Sequence, residues 1–157
     1  MEAYKEEKRM NKVALISLYF GKFPANFGLW LKSAARNADI DFLLYGDCDV
    51  SAYLPLPPNV KCIFYTFEQM KAKIQSKFDF TIELSRPYKL CDYKPIYGYL
   101  FEEDLTGYDY WGHIDLDTIL GDLRAYFPKE AYEKVYQFGP AFTAGTRKKK
   151  ETAINPI

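Results

Sequence analysis

Apolar and polar positions along the chain alternate between two periods. Val13-Ala-Leu-Ile-Ser-Leu-Tyr-Phe20 is almost wholly apolar, the pattern of a strand covered on both faces, and a strand is expected over 12–20. Asp41-Phe-Leu-Leu-Tyr-Gly46 repeats the pattern, and Val60 to Tyr65 is read as a third strand. Between the first two, Phe27, Trp30, Leu31, Ala34, Ala35 and Ala38 recur at helical spacing behind Asn26, a residue able to cap. Thr66 and Gln69 form a capping-box pair ahead of a helix that turns Phe67, Met70 and Ile74 inward. Phe78 to Lys89 carries no period and is expected to be a loop over the strand ends. A further helix is predicted to start between Asp92 and Pro95, to bury Ile96, Tyr97, Leu100 and Phe101, and to end at Thr106-Gly107. Over 109–116, Tyr110, Ile114 and Leu116 alternate with Trp111, His113, Asp115 and Asp117, the period of a pleated strand.

Strands alternating with helices predict an α/β domain with a mainly parallel, doubly wound sheet. In such sheets ligands bind beyond the carboxyl ends of the strands. Phe20, Gly21, Asp47, Asp115 and Asp117 all fall at such ends. On a strand, Asp115 and Asp117 leave one face about 7 Å apart at their Cα atoms. Carboxylates that close repel unless a cation or a shared proton lies between them. Hard oxygen donors suit Mg²⁺ or Mn²⁺, ions that accompany a substrate diphosphate. His113 shares the acidic face and is read as a structural hydrogen-bonding group.

Composition narrows the picture. The 157 residues suffice for one domain, expected at 12–138, between a polar arm at 1–11 and an irregular tail at 139–157. Aromatic residues make up 18% of the chain, enough for a substantial core. With 21 basic and 21 acidic residues, no net field draws it to nucleic acid or to a membrane. Cys48, Cys62 and Cys91 are odd in number, lack metal-ligand spacing and are expected to be reduced, buried thiols. No signal peptide or transmembrane run is visible, and a cytoplasmic protein is expected.

Several segments, taken in order, carry a resemblance. Val13-Ala-Leu-Ile-Ser-Leu-Tyr-Phe-Gly-Lys-Phe-Pro24, Asp41-Phe-Leu-Leu-Tyr45, Pro87-Tyr-Lys-Leu-Cys-Asp-Tyr-Lys-Pro95 and Tyr110-Trp-Gly-His-Ile-Asp-Leu-Asp117 are similar to a bacterial family of glycosyltransferase-like proteins of capsular and surface polysaccharide synthesis. The resemblance covers roughly 12–138 and implies a Rossmann-like GT-A fold acting on a nucleoside-diphosphate-sugar donor and a glycan or glycolipid acceptor. It also implies roles. Tyr19, Phe20 and Gly21 would lie against base and ribose, and Asp47 would accept a hydrogen bond from either. Asp92 would face ribose or donor sugar, and Lys94 the diphosphate. Asp115 would orient ribose or sugar and help hold Mn²⁺ or Mg²⁺, which Asp117 would ligate.

The chain departs from that family after Phe138, where members continue into acceptor-binding sequence. Gly139 to Lys150 has neither helical nor strand period, and the ending resembles a premature stop. No catalytic base is identified, so a truncated remnant that binds a sugar nucleotide without transferring it is the alternative. A third reading takes Asp115 and Asp117 as the acids of a haloacid-dehalogenase-like phosphatase. That family carries its motif early in the domain, whereas only 40 residues follow Asp117.

Overall fold

The computed structural model of the protein describes residues 11–126, 136–137 and 143–146. The chain runs β1 (Val13–Leu18), α1 (Phe27–Ala35), β2 (Ile40–Gly46), β3 (Val60–Phe64) and α2 (Phe67–Gln75). A 3₁₀ segment (Pro87–Ile96) leads into α3 (Tyr97–Leu100) and β4 (Tyr110–His113), and the short β5 (Tyr136–Gln137) and β6 (Thr143–Thr146) follow. The strands form one sheet in the order β3-β2-β1-β4-β6-β5. β1 lies parallel to both β2 and β4, and β2 lies parallel to β3. β6 is antiparallel to β4 and β5. The class is α/β, with four consecutive parallel strands in an arrangement compatible with a Rossmann-like fold.

Both faces of β1 and β2 are covered, which explains their near-continuous apolar sequence, whereas edge strand β3 leaves Lys61 and Phe64 exposed. On one face Val13, Leu15, Phe42 and Leu44 pack with Phe27, Trp30, Leu31 and Ala34 of α1. On the other, Ala14, Ile16, Leu43 and Tyr45 meet Met70 and Ile74 of α2, together with Tyr97, Leu100 and Phe101. Burying each large side chain in these layers contributes about 1.5–3 kcal/mol relative to leaving it in water. Aromatic rings link the layers to the strand ends. Tyr19 stacks near Phe23, Phe23 lies 3.8 Å from Phe27, and Phe27 leads through Trp30 to Phe42.

Several expectations are met, and α2 keeps its capping box, with Thr66 and Gln69 each bonding the other's backbone. Others are corrected. Asn26 precedes α1 but makes no side-chain cap; its carbonyl accepts from Leu29 and Trp30 instead. Ala35 and Ala38 are exposed, while Ser33 and Asn37 turn inward. Those polar side chains are buried because each is hydrogen-bonded. The Ser33 hydroxyl donates to the Trp30 carbonyl and accepts from the Leu120 amide. The Asn37 amide donates to the Ser33 and Gly121 carbonyls and accepts from the Leu123 amide. Together they tie the chain beyond Asp117 to α1.

The helix expected from Asp92–Pro95 begins earlier, as 3₁₀ turns opened by Pro87, whose missing N–H costs nothing at a helix start. The expected loop is therefore confined to Phe78–Arg86. β4 stops at His113 rather than 116, because the chain turns at Leu116 and the Thr118 hydroxyl closes onto the Asp115 carbonyl. A strand also appears at Thr143–Thr146, inside the stretch read as irregular. Backbone pairing to the open side of β4 forms it, an interaction that side-chain period does not report. The arm at 1–10 and the rest of the tail lie outside the described residues.

Gly46 ends β2 where the backbone of Tyr19 crosses. A Cβ there would sit 1.7 Å from the Tyr19 carbonyl oxygen, which the Tyr19–Tyr45 backbone hydrogen bond holds in place. Gly46→Ala is expected to destabilise the protein by at least about 1–3 kcal/mol through overpacking. Gly28→Ala, whose nearest neighbour is a ring carbon of Tyr53 at 3.8 Å, should be neutral or stabilise by up to about 1 kcal/mol. Urea denaturation of the two variants checks this, and equal losses would refute the close approach.

Candidate functional site

Connection order places a crevice at the strand ends. From β1 the chain moves outward to β2 and β3, then crosses back to lay β4 on the other side of β1. The loops leaving β1 and β4 therefore diverge, and ligands bind at such a switch point. A cavity of about 460 Å³ lies there, within the range of small-molecule sites. Its walls are Ser17 to Phe20 and Lys22 after β1, Ile114 to Asp117 after β4, and Pro87, Tyr88, Leu90, Cys91, Lys94 and Tyr97.

The third wall follows from helix type. A 3₁₀ helix has 3.0 residues per turn, so positions three apart eclipse. Tyr88, Cys91, Lys94 and Tyr97 are spaced by three, and all four line the cavity. Asp92 is rotated out of that row. It is exposed, with its carboxylate 3.5 Å from Lys89, and it does not line the cavity. The assignment of Asp92 to ribose or sugar therefore finds no geometric support.

Of the other expected residues, Tyr19, Phe20, Lys94, Asp115 and Asp117 come together on the cavity wall. Gly21 and Asp47 bond each other instead: the Gly21 amide donates to Asp47 Oδ1 at 2.6 Å. Gly21 has φ +90°, a left-handed conformation that glycine adopts without strain. Asp47 thus fixes the turn presenting Tyr19 and Phe20. That use of its carboxylate is structural.

Asp115 and Asp117 leave a turn rather than a strand face, although the alternation survives. Ile114 and Leu116 are buried, Asp115 is half-buried and Asp117 is exposed. The cation expected between two such carboxylates is supplied in part by the chain itself. Lys94 Nζ lies 2.5 Å from Asp115 Oδ1, with 21% and 36% of the two side chains exposed. His113, buried behind them, has its pKa lowered by burial and then by Lys94, against an opposing pull from Asp115. Among the described residues no group of three or more His, Cys, Asp or Glu side chains gathers to hold a metal. The donor set fits a Mg²⁺-like ion only in the mode that takes one or two carboxylates and completes its shell with substrate phosphates and water.

A family of unknown function (DUF6625) matches residues 15–143. The chain belongs to this DUF6625 family. No curated protein and no solved structure matches it. The stretch matched to DUF6625 runs from β1 into β6 and contains every cavity-lining residue.

Sequence reasoning passed over Tyr88, Cys91 and Tyr97 as site residues in this DUF6625 member. The available signal is their spacing of three, hidden by an expected loop that takes in Tyr88 and an expected helix that starts only at Asp92–Pro95. None of the three thiols is buried as expected. Cys48 and Cys62 are half-buried, Cys91 is exposed, and all are free. The Cys48 thiol donates to the Tyr19 carbonyl at 3.6 Å, and burial, Asp47 and Cys62 push its pKa up to about 11. Burial also raises Cys62. At pH 8 Cys91 should therefore react with iodoacetamide first, and Cys48 only as the pH climbs toward about 11. Peptide mapping after timed alkylation reads the order, and early labelling of Cys48 would contradict the described packing.

Proposed function

We propose that the cavity receives a nucleoside-diphosphate-sugar, and that the protein is a glycosyltransferase-like protein of GT-A type serving bacterial surface-polysaccharide synthesis. The observation that carries this reading is the meeting of Tyr19 and Phe20 with Lys94, Asp115 and Asp117 in one cavity at the switch point. Aromatic faces suit a base, an ammonium group suits a diphosphate, and an exposed carboxylate suits an ion bridging protein and phosphate. Tyr19 and Phe20 hold the base against the turn that Asp47 and Gly21 stabilise. Lys94 attracts the diphosphate, and Asp115 and Asp117 would hold Mn²⁺ or Mg²⁺. A bound ion supplies Lewis-acid stabilisation to the leaving diphosphate. The acceptor in this reading is a glycan or glycolipid. No helix among the described residues is long and apolar enough to cross a membrane. The three free thiols accord with a reducing, cytoplasmic setting.

A second reading, donor binding without transfer, has an observation of its own. Among the described residues Asp115 and Asp117 are the only carboxylates lining the cavity, and both are assigned to the ion, leaving none of these as a base. Hydrolysis or transfer assays separate the two readings.

Both require metal-dependent nucleotide binding. Titration of uridine and guanosine diphosphates with Mn²⁺ should show it, and a ligand at a hundredfold its Kd should add about 2.7 kcal/mol of stability. Asp117→Asn should abolish the metal-dependent part. Asp109→Asn, at the opposite end of β4 where its carboxylate accepts from the Lys12 amide, should leave binding intact. Equal binding by wild type and Asp117→Asn would remove the metal site from the proposal.

A further inference from the structure

We infer that Lys94 is a built-in counter-ion for Asp115, which a divalent cation must displace and a diphosphate must then receive. The inference rests on the diphosphate reading of the cavity given above. Its starting point is geometric: Lys94 Nζ lies 2.5 Å from Asp115 Oδ1, and both residues line the same cavity. Lys94 is carried there by the 3₁₀ row that also presents Tyr88, Cys91 and Tyr97. Asp115 is held by the turn that the Thr118 hydroxyl closes on its carbonyl.

An ammonium and a divalent ion repel each other, so Lys94 and a metal ion compete for the Asp115 oxygen that the ammonium now holds. A metal that takes Asp115 therefore releases Lys94 into a half-buried position. A buried charge without a partner is costly, so the released ammonium needs an anion within reach. Among the described residues Asp117 is the other carboxylate on the lining, and the metal takes it too. A diphosphate satisfies both demands at once, offering oxygens to the ion and to Lys94. The ion and the diphosphate consequently favour each other's binding, and each by the same factor. Without the diphosphate, Lys94 keeps the acidic turn neutralised and resists adventitious metal.

Two variants separate the halves of this exchange. Lys94→Met keeps the apolar stem and removes the competitor, so Mn²⁺ alone should bind about fivefold tighter than in wild type, the measure of a partly exposed ion pair. Its affinity for uridine diphosphate at saturating Mn²⁺ should fall, about tenfold, for want of the cation that moves to phosphate. Asp115→Asn frees Lys94, so uridine diphosphate in EDTA should bind about fivefold tighter than in wild type. Lys89→Met removes a nearby charge that faces Asp92 outside the cavity, and should change neither quantity.

Isothermal calorimetry with MnCl₂ alone, uridine diphosphate alone and the two together reads every arm, with circular dichroism confirming folded variants. Mn²⁺ bound no tighter by Lys94→Met than by wild type overturns the exchange. Tighter Mn²⁺ binding by Lys94→Met with no nucleotide bound by any of the proteins upholds the competition at Asp115. That result would remove the nucleotide reading instead.

Discussion

The arrangement depends on β1 being paired in parallel on both of its edges. The chain runs outward from β1 to β2 and β3 and then returns to lay β4 on the other edge of β1. The loops after β1 and β4 therefore leave in opposite directions and open a crevice at the shared carboxyl end. Parallel strands also need covering layers, supplied by α1 on one face and by α2 with the Tyr97–Leu100 helix on the other. The crevice floor is thus the end of the most deeply buried strand. Its rim is made of turns that are free to carry polar chemistry.

Those turns are held from behind. The ring series from Tyr19 through Phe23 and Phe27 to Trp30 carries order from the core to the rim on one side. Ser33 and Asn37 do the same for the chain after Asp117, by hydrogen bonds to the backbone of Leu120, Gly121 and Leu123. Helix α1 therefore braces both the turn after β1 and the turn after β4. At the far, amino ends of β2 and β3, the Asn59 side-chain amide ties the end of α1 to the sheet by donating to the carbonyls of Ala34, Asn37 and Ile40. Preorganisation of this kind lowers the ordering cost that a ligand would otherwise meet.

Much of this was legible in the residues. Continuous apolar runs marked the buried strands, and Thr66 with Gln69 marked the start of α2, because burial and capping leave direct traces in residue type. The meeting of Phe20, Asp115 and Asp117 on one cavity wall was legible because strand ends in a doubly wound sheet converge, while Tyr19 and Lys94 entered through the family resemblance. The remainder depended on geometry that spacing alone does not settle. The 3₁₀ turns that begin at Pro87 set Tyr88, Cys91 and Lys94 in one row on the wall and leave Asp92 off it. Ser33 and Asn37 break the helical hydrophobic pattern because their partners lie more than eighty residues away. β6 exists by pairing with β4, and nothing local to Thr143–Thr146 announces it.

The three-residue repeat of the cavity wall has a consequence for how this chain can vary. Substitution at Tyr88, Cys91, Lys94 or Tyr97 changes one rung and leaves the others aligned. Inserting or deleting a single residue between them turns everything downstream by about a third of a revolution. Such a change would carry Lys94 away from Asp115 and swing a neighbour into its place, and it would also turn Tyr97 in the hydrophobic layer beneath. Length, more than side-chain identity, is the property of this wall that drift and engineering alike must respect.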